Sequence, residues 1–167
     1  QTDRWRRVLA TPPALPAACP ELDTYASAGH YTASLDVETT RALLGAVPAA
    51  FHAGVQDIPL IGYALALTEF LGVTLPVGIE VEGHGRVEDL GGCVTEIDLS
   101  RTVGWFTTKY PVALAVSGKP GRSAGRLRWD QVVAGDPLLG AVIKDAKEQL
   151  RSLPEGMTYG LLRYLNS

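Results

Sequence analysis

The stretch Val73-Thr74-Leu75-Pro76-Val77-Gly78-Ile79-Glu80-Val81-Glu82-Gly83-His84-Gly85-Arg86 decides the fold. Val73, Leu75, Val77, Ile79 and Val81 alternate with Thr74, Pro76, Gly78, Glu80 and Glu82. That period of two predicts a strand with one apolar face, and Pro76 puts it at an edge or near its own start. Immediately upstream, Ile58 to Leu71 carries Leu60, Ile61, Ala64, Leu65, Leu67 and Phe70. It predicts a helix capped by Asp57, with Pro59 in the first turn and Gly72 as the stop. So little of its surface is polar that burial nearly all round is expected. A buried helix feeding directly into a half-apolar strand points to a sheet backed by helices.

Working outward, Arg4 to Leu9 predicts a short helix with Trp5, Val8 and Leu9 on one side. Pro12, Pro13, Pro16 and Pro20 then forbid regular structure and make a crossover segment. Tyr25 to Leu35, rich in Tyr, Thr and Ser with loose alternation, predicts a strand. Asp36 predicts the N-cap of a helix over Val37 to Val47, with Pro48 just past its end. Downstream, 83–104 reads as a long irregular connection, a kind of segment that often carries function. Pro111 to Val116 predicts a second strand, and Ser117 to Gly125 an exposed turn. Asp136-Pro137 opens a helix to Leu153, and a short last helix runs Tyr159 to Leu165. The expected class is α/β or α+β, with 1–24 as leading helix and crossover and 25–167 as the core.

At 167 residues the chain is one domain or a large lobe of something bigger. With 18 acids against 15 bases it has no overall basic field for phosphates, so no nucleic-acid partner is expected. Cys19 and Cys93 are too few and too far apart for a disulfide scaffold or a zinc cage, and neither has a local partner that would make it a nucleophile. His30, His52 and His84 are too few for a histidine-rich metal centre. The apolar run Ile58 to Leu67 falls well short of the ~20 residues a membrane span needs. Gln1 in place of Met, with no leader behind it, leads us to expect a piece of a larger cytoplasmic protein.

The chemistry-bearing segment is Glu82-Gly83-His84-Gly85-Arg86, at the end of the best strand. Glu80 and Glu82 share a strand face about 7 Å apart, and two nearby carboxylates disfavour each other's ionisation when water is limited. The glycines let the backbone turn sharply or a ligand approach closely. An acid, an imidazole and a guanidinium within five residues suit general acid/base work; a polar strand end in solvent is the other reading. In Arg101 to Pro111, Trp105 and Phe106 read first as core anchors and second as the wall of a cleft. No nucleophile elbow, dinucleotide fingerprint or His-Glu-x-x-His pair occurs.

Four stretches taken together resemble the epimerization domains of nonribosomal peptide synthetases, relatives of the condensation domains. They are Thr40-Arg41-Ala42-Leu43-Leu44, Glu82 to Arg86, Arg101-Thr102-Val103-Gly104-Trp105-Phe106-Thr107-Thr108-Lys109-Tyr110-Pro111, and Pro154-Glu155-Gly156-Met157-Thr158-Tyr159-Gly160. Gly104-Trp105-Phe106-Thr107 favours the epimerization branch over the condensation branch. Two departures stand out: Val87 precedes the acid Glu88, and Thr158 replaces a glycine of the late glycine pattern.

The resemblance implies an α/β lobe of a chloramphenicol-acetyltransferase-like two-lobe fold with a mixed sheet, here the C-terminal lobe. The family's His-His-x-x-x-Asp-Gly motif belongs to the N-terminal lobe and has no counterpart here. The implied reaction is inversion at Cα of an aminoacyl or peptidyl thioester on a carrier domain's phosphopantetheine arm, with no cofactor or metal bound directly. Glu82 is the implied acid/base, its protonated form favoured by burial and by Glu80; His84, Arg86, Arg101, Trp105, Tyr110 and Tyr159 are supporting residues. The implied partners are the N-terminal lobe and the upstream peptidyl carrier domain, and the lobe alone is expected to be inactive and prone to self-association. The rivals are a condensation domain that forms peptide bonds and a non-catalytic lobe that docks a carrier.

Overall fold

The computed structural model describes residues 1–74, 76–86, 98–116 and 127–165. The expected turn over Ser117 to Gly125, Cys93 and the middle of the 83–104 connection lie outside them. The elements are α1 (Thr2–Leu9), α2 (Val37–Leu44), α3 (Ala46–Phe51), α4 (Asp57–Leu71), β1 (Val77–Gly83), β2 (Thr108–Leu114), α5 (Trp129–Val133), α6 (Pro137–Arg151) and α7 (Gly156–Leu165). The class is α/β: a small antiparallel sheet with helices packed on it.

β1 and β2 pair antiparallel from Val77 opposite Leu114 to Gly83 opposite Thr108. The alternation sorts the side chains as the sequence predicts. Val77, Val112 and Leu114 are buried, while Glu80, Glu82 and Lys109 on the other face are exposed. Burying each large aliphatic side chain contributes about 1.5–3 kcal/mol, and a one-residue slip would turn the whole apolar set to water. The strand begins after Pro76 rather than at Val73, because proline has no N–H for the ladder.

The core joins Ile61, Ala64 and Leu65 of α4, Val112 and Leu114 of β2, Val116, Leu127, and Ala146 of α6. Asp136 caps α6, its carboxylate accepting from the Leu138 N–H at 2.8 Å. The Gln149 amide clasps the continuation of β2, accepting from the Ala115 N–H and donating to the Ala115 carbonyl, each at 2.9 Å. Lys147 Nζ donates to the Phe51 carbonyl at 3.2 Å, and the Arg151 guanidinium donates to the His52 carbonyl, so α6 also holds the end of α3.

Several expectations need correction. Tyr25 to Leu35 is not a strand: it has no regular structure, and Tyr25 and Tyr31 are 101% and 94% exposed. Among the described residues no neighbouring strand offers it a ladder, and without one an extended segment cannot pair its backbone groups. Asp36 does cap α2, accepting from the Thr39 N–H at 2.7 Å. The helix breaks at Gly45, however, and Pro48 falls inside α3 rather than beyond an end. α4 starts at Asp57, which accepts from the Gly54 N–H, and stops at Gly72 in the left-handed region. It is not buried all round: Ile61, Ala64, Leu65 and Thr68 face the core, while Tyr63 and Phe70 face out. α5 has no counterpart in the sequence expectations.

Candidate acid/base site at the end of the β1–β2 ladder

The ladder ends where chemistry-bearing residues begin. Glu82 sits opposite Lys109 in the register, and the Lys109 ammonium lies 3.0 Å from Glu82 Oε1 and 4.0 Å from Glu80 Oε1. Strand alternation puts both carboxylates on one face, and antiparallel pairing brings the lysine across to meet them. The hydrogen bond to Glu82, then the charges of Glu82 and Glu80, hold the Lys109 ammonium above the ordinary lysine range. The burial expected of Glu82 is not found: its side chain is 59% exposed in this chain.

Beyond Glu82 the chain turns through Gly83-His84-Gly85-Arg86. Gly85 has φ +61°, and a β-carbon there would collide with the Phe106 carbonyl oxygen. Only glycine allows that approach. His84 is exposed, and its Nδ1 accepts from the Arg86 N–H at 3.0 Å. Arg86 Nη1 donates to the Leu99 carbonyl at 3.1 Å and Nη2 to the Thr102 carbonyl at 3.0 Å. Its guanidinium also stacks 4.5 Å from the centre of the Phe106 ring. Hydrogen bonds and stacking by one side chain therefore tie the turn after β1 to the segment leading into β2. The site can present a carboxylate, ion-paired and reachable by water, on a rigid strand end.

The chain is 40% identical over 166 residues to the chondramide synthase of Chondromyces crocatus, covering 98% of this chain and 4% of that protein. It is 34% identical over 136 residues to bacitracin synthase 3 of Bacillus licheniformis, covering 81% of this chain and 2% of that one. The crystal structure of the epimerization domain from the third module of tyrocidine synthetase B is 34% identical, with a TM-score of 0.60 over 80% of this chain and 26% of that chain. The chain belongs to the epimerization-domain family of nonribosomal peptide synthetases. It matches the C-terminal part of that domain and spans only a small share of the synthases themselves. No family model matches.

In this member of the epimerization-domain family, the residues singled out from sequence divide into two groups. Glu82, His84 and Arg86 come together at the ladder end. Arg101 and Trp105 are exposed, Trp105 at 91%, so Trp105 is not the core anchor expected; Phe106 is half-buried beneath Arg86. Tyr110 and Tyr159 serve the packing of α1 instead. The Trp5 ring, 2% exposed, lies 6.3 Å from Tyr110 and 5.3 Å from Tyr159. Trp5 Nε1 donates to Thr158 Oγ1 at 3.0 Å, so the threonine that departs from the family's glycine pattern satisfies the indole. Burial, then the charges of Glu155 and Asp57, push the Tyr110 phenol up. Tyr110, Asp57 and Glu155 line a cavity of about 290 Å³, on the sheet face opposite Glu82.

Sequence reading missed Lys109 as a participant, because only the register of the ladder identifies it. Pairing Gly83 with Thr108 puts Lys109 directly across from Glu82. Among the described residues there is no cluster of three or more metal-ligating side chains, and no helix long and apolar enough to cross a membrane.

Proposed function

We propose that this lobe supplies one of the two proton-transfer groups by which an epimerization domain inverts Cα of a carrier-bound aminoacyl or peptidyl thioester. The observation that carries the reading is Glu82 itself. It is a carboxylate at the end of a strand, fixed across the ladder by Lys109 and followed by a turn that Gly85 and Arg86 lock. The thioester carbonyl delocalises the carbanion formed at Cα, so the reaction needs a positioned base rather than a strong one. Inversion needs proton transfer on opposite faces of the planar enolate. Glu82 takes one face, and the N-terminal lobe, through its histidine motif, takes the other. Glu82 receives the Cα proton as carboxylate or returns one as carboxylic acid, according to the direction of the reaction.

The thioester arrives on the phosphopantetheine arm of the upstream carrier domain, and that arm is substrate rather than a resident group. Because the second proton-transfer group lies on the partner lobe, the isolated lobe is inactive. The exposed side chains of Phe70 and Tyr63 support its self-association when alone.

The experiment uses the two-lobe domain fused to its loaded carrier in heavy water, with Cα deuterium read by mass spectrometry. Label enters the wild type and not Glu82→Gln. If no label enters and a peptide bond forms when a donor is added, the domain is a condensation catalyst and Glu82 has no proton-transfer role.

A further inference from the structure

The ladder end holds more than a carboxylate. Two anions, Glu80 and Glu82, share one face of β1, and one cation, Lys109 of β2, reaches both. Lys109 of β2 stands across from Glu82 at 3.0 Å and reaches Glu80 only at 4.0 Å. Arg163 of α7 donates from Nη1 to the Tyr159 hydroxyl at 3.1 Å. It is held above its ordinary range by that bond first, then by Tyr164, with a further contribution from Glu80. The shorter bond of Lys109 goes to Glu82.

We infer that Lys109 is a positioning residue for Glu82: by ion-pairing across the strand register it fixes the carboxylate's rotamer where the thioester arrives. The inference rests on the proposed role of Glu82 as acid/base. Lys109 makes no bond to the reacting atoms in this scheme. Both side chains are more than half exposed, 60% and 59%, so the pair forms without taking two charges out of water. The groups facing Glu82 are Glu80 on its own strand and Lys109 on β2.

A carboxylate free to swing between rotamers is in place for proton transfer only part of the time, so removing Lys109 lowers the turnover rate and leaves binding of the carrier-borne thioester unchanged.

The test takes the two-lobe domain with its carrier loaded in turn with the L and the D aminoacyl thioester. Initial rates of Cα deuterium uptake are followed against the concentration of loaded carrier for wild type, Lys109→Met, Lys109→Arg and Glu82→Gln. Lys109→Met lowers kcat roughly three- to tenfold at unchanged KM, because the carboxylate is no longer held in place, and Lys109→Arg restores the wild-type rate. A Lys109→Met rate equal to that of the wild type overturns the inference, as does a loss that arginine fails to rescue. The two ideas separate cleanly. An active Glu82→Gln sinks the proposed role of Glu82, whereas a dead Glu82→Gln beside an unimpaired Lys109→Met sinks only the role of Lys109.

Discussion

Residues 25–35 and the β1–β2 ladder both carry alternating sequence, yet only one of them is sheet. The ladder has a partner strand, a buried apolar face in Val77, Val112 and Leu114, and helices α4 and α6 against it. Among the described residues, the hydrogen bonds of 12–35 run no further than five positions, as in Ser27 to Leu22 and Cys19 to Asp23. Its tyrosines stand in solvent. Alternation is thus necessary and not sufficient: a strand forms where a second strand and an apolar layer satisfy both its backbone and its inward face. Long-range anchoring, from Trp5 to Thr158 or from Gln149 to Ala115, separates the two regions.

The contrast is sharpest at the tryptophan. Trp5→Ala removes a fully buried ring and orphans the Thr158 acceptor, and costs about 3–5 kcal/mol in denaturant unfolding. Tyr25→Ala and Tyr31→Ala stay within about 0.5 kcal/mol of wild type. Equal losses at all three positions would erase the distinction between the regions.

A pair of glycines gives the next largest difference. Gly85→Ala forces a positive φ on alanine and drives its β-carbon into the Phe106 carbonyl, for a loss of about 1–3 kcal/mol. Gly29→Ala meets open space and a permissive backbone, and changes stability by about 0.5 kcal/mol or less. Amide exchange of Arg86 should accelerate in the first variant and not in the second.

The smallest effect lies in pH. Burial raises the Tyr110 phenol above its unfolded value of about 10. The folded state then binds that proton more tightly than the unfolded one. The contribution is fully present below pH ~10 and is lost as pH rises through the folded value. Tyr110→Phe should flatten the alkaline fall in chemical-denaturation midpoints, with Tyr31→Phe, at 94% exposure, as the control.

What was legible in the sequence follows the same division. The cap Asp36, the stop Gly72, the N-terminal Asp136-Pro137 of α6 and the two faces of β1 were all readable, because each is decided within a few residues. Glu82, His84 and Arg86 were readable as a group because they are contiguous. The fate of Tyr25 to Leu35, the exposed outer side of α4, the solvent position of Trp105 and the Lys109–Glu82 pair were not. Each depends on what lies across space, and only the register of β1 on β2 brings Lys109 to Glu82. Thr158 reads in the sequence as a local departure from a glycine pattern; its hydroxyl is the acceptor for an indole 153 residues away in the chain.

The most direct measurement is the configuration of the carrier-bound residue after incubation with the two-lobe domain, read by chiral analysis of the released amino acid. Starting from pure L thioester, the account predicts that wild type yields a mixture of L and D, while Glu82→Gln returns L alone. A mixture from Glu82→Gln, or unchanged L from the wild type, would contradict it.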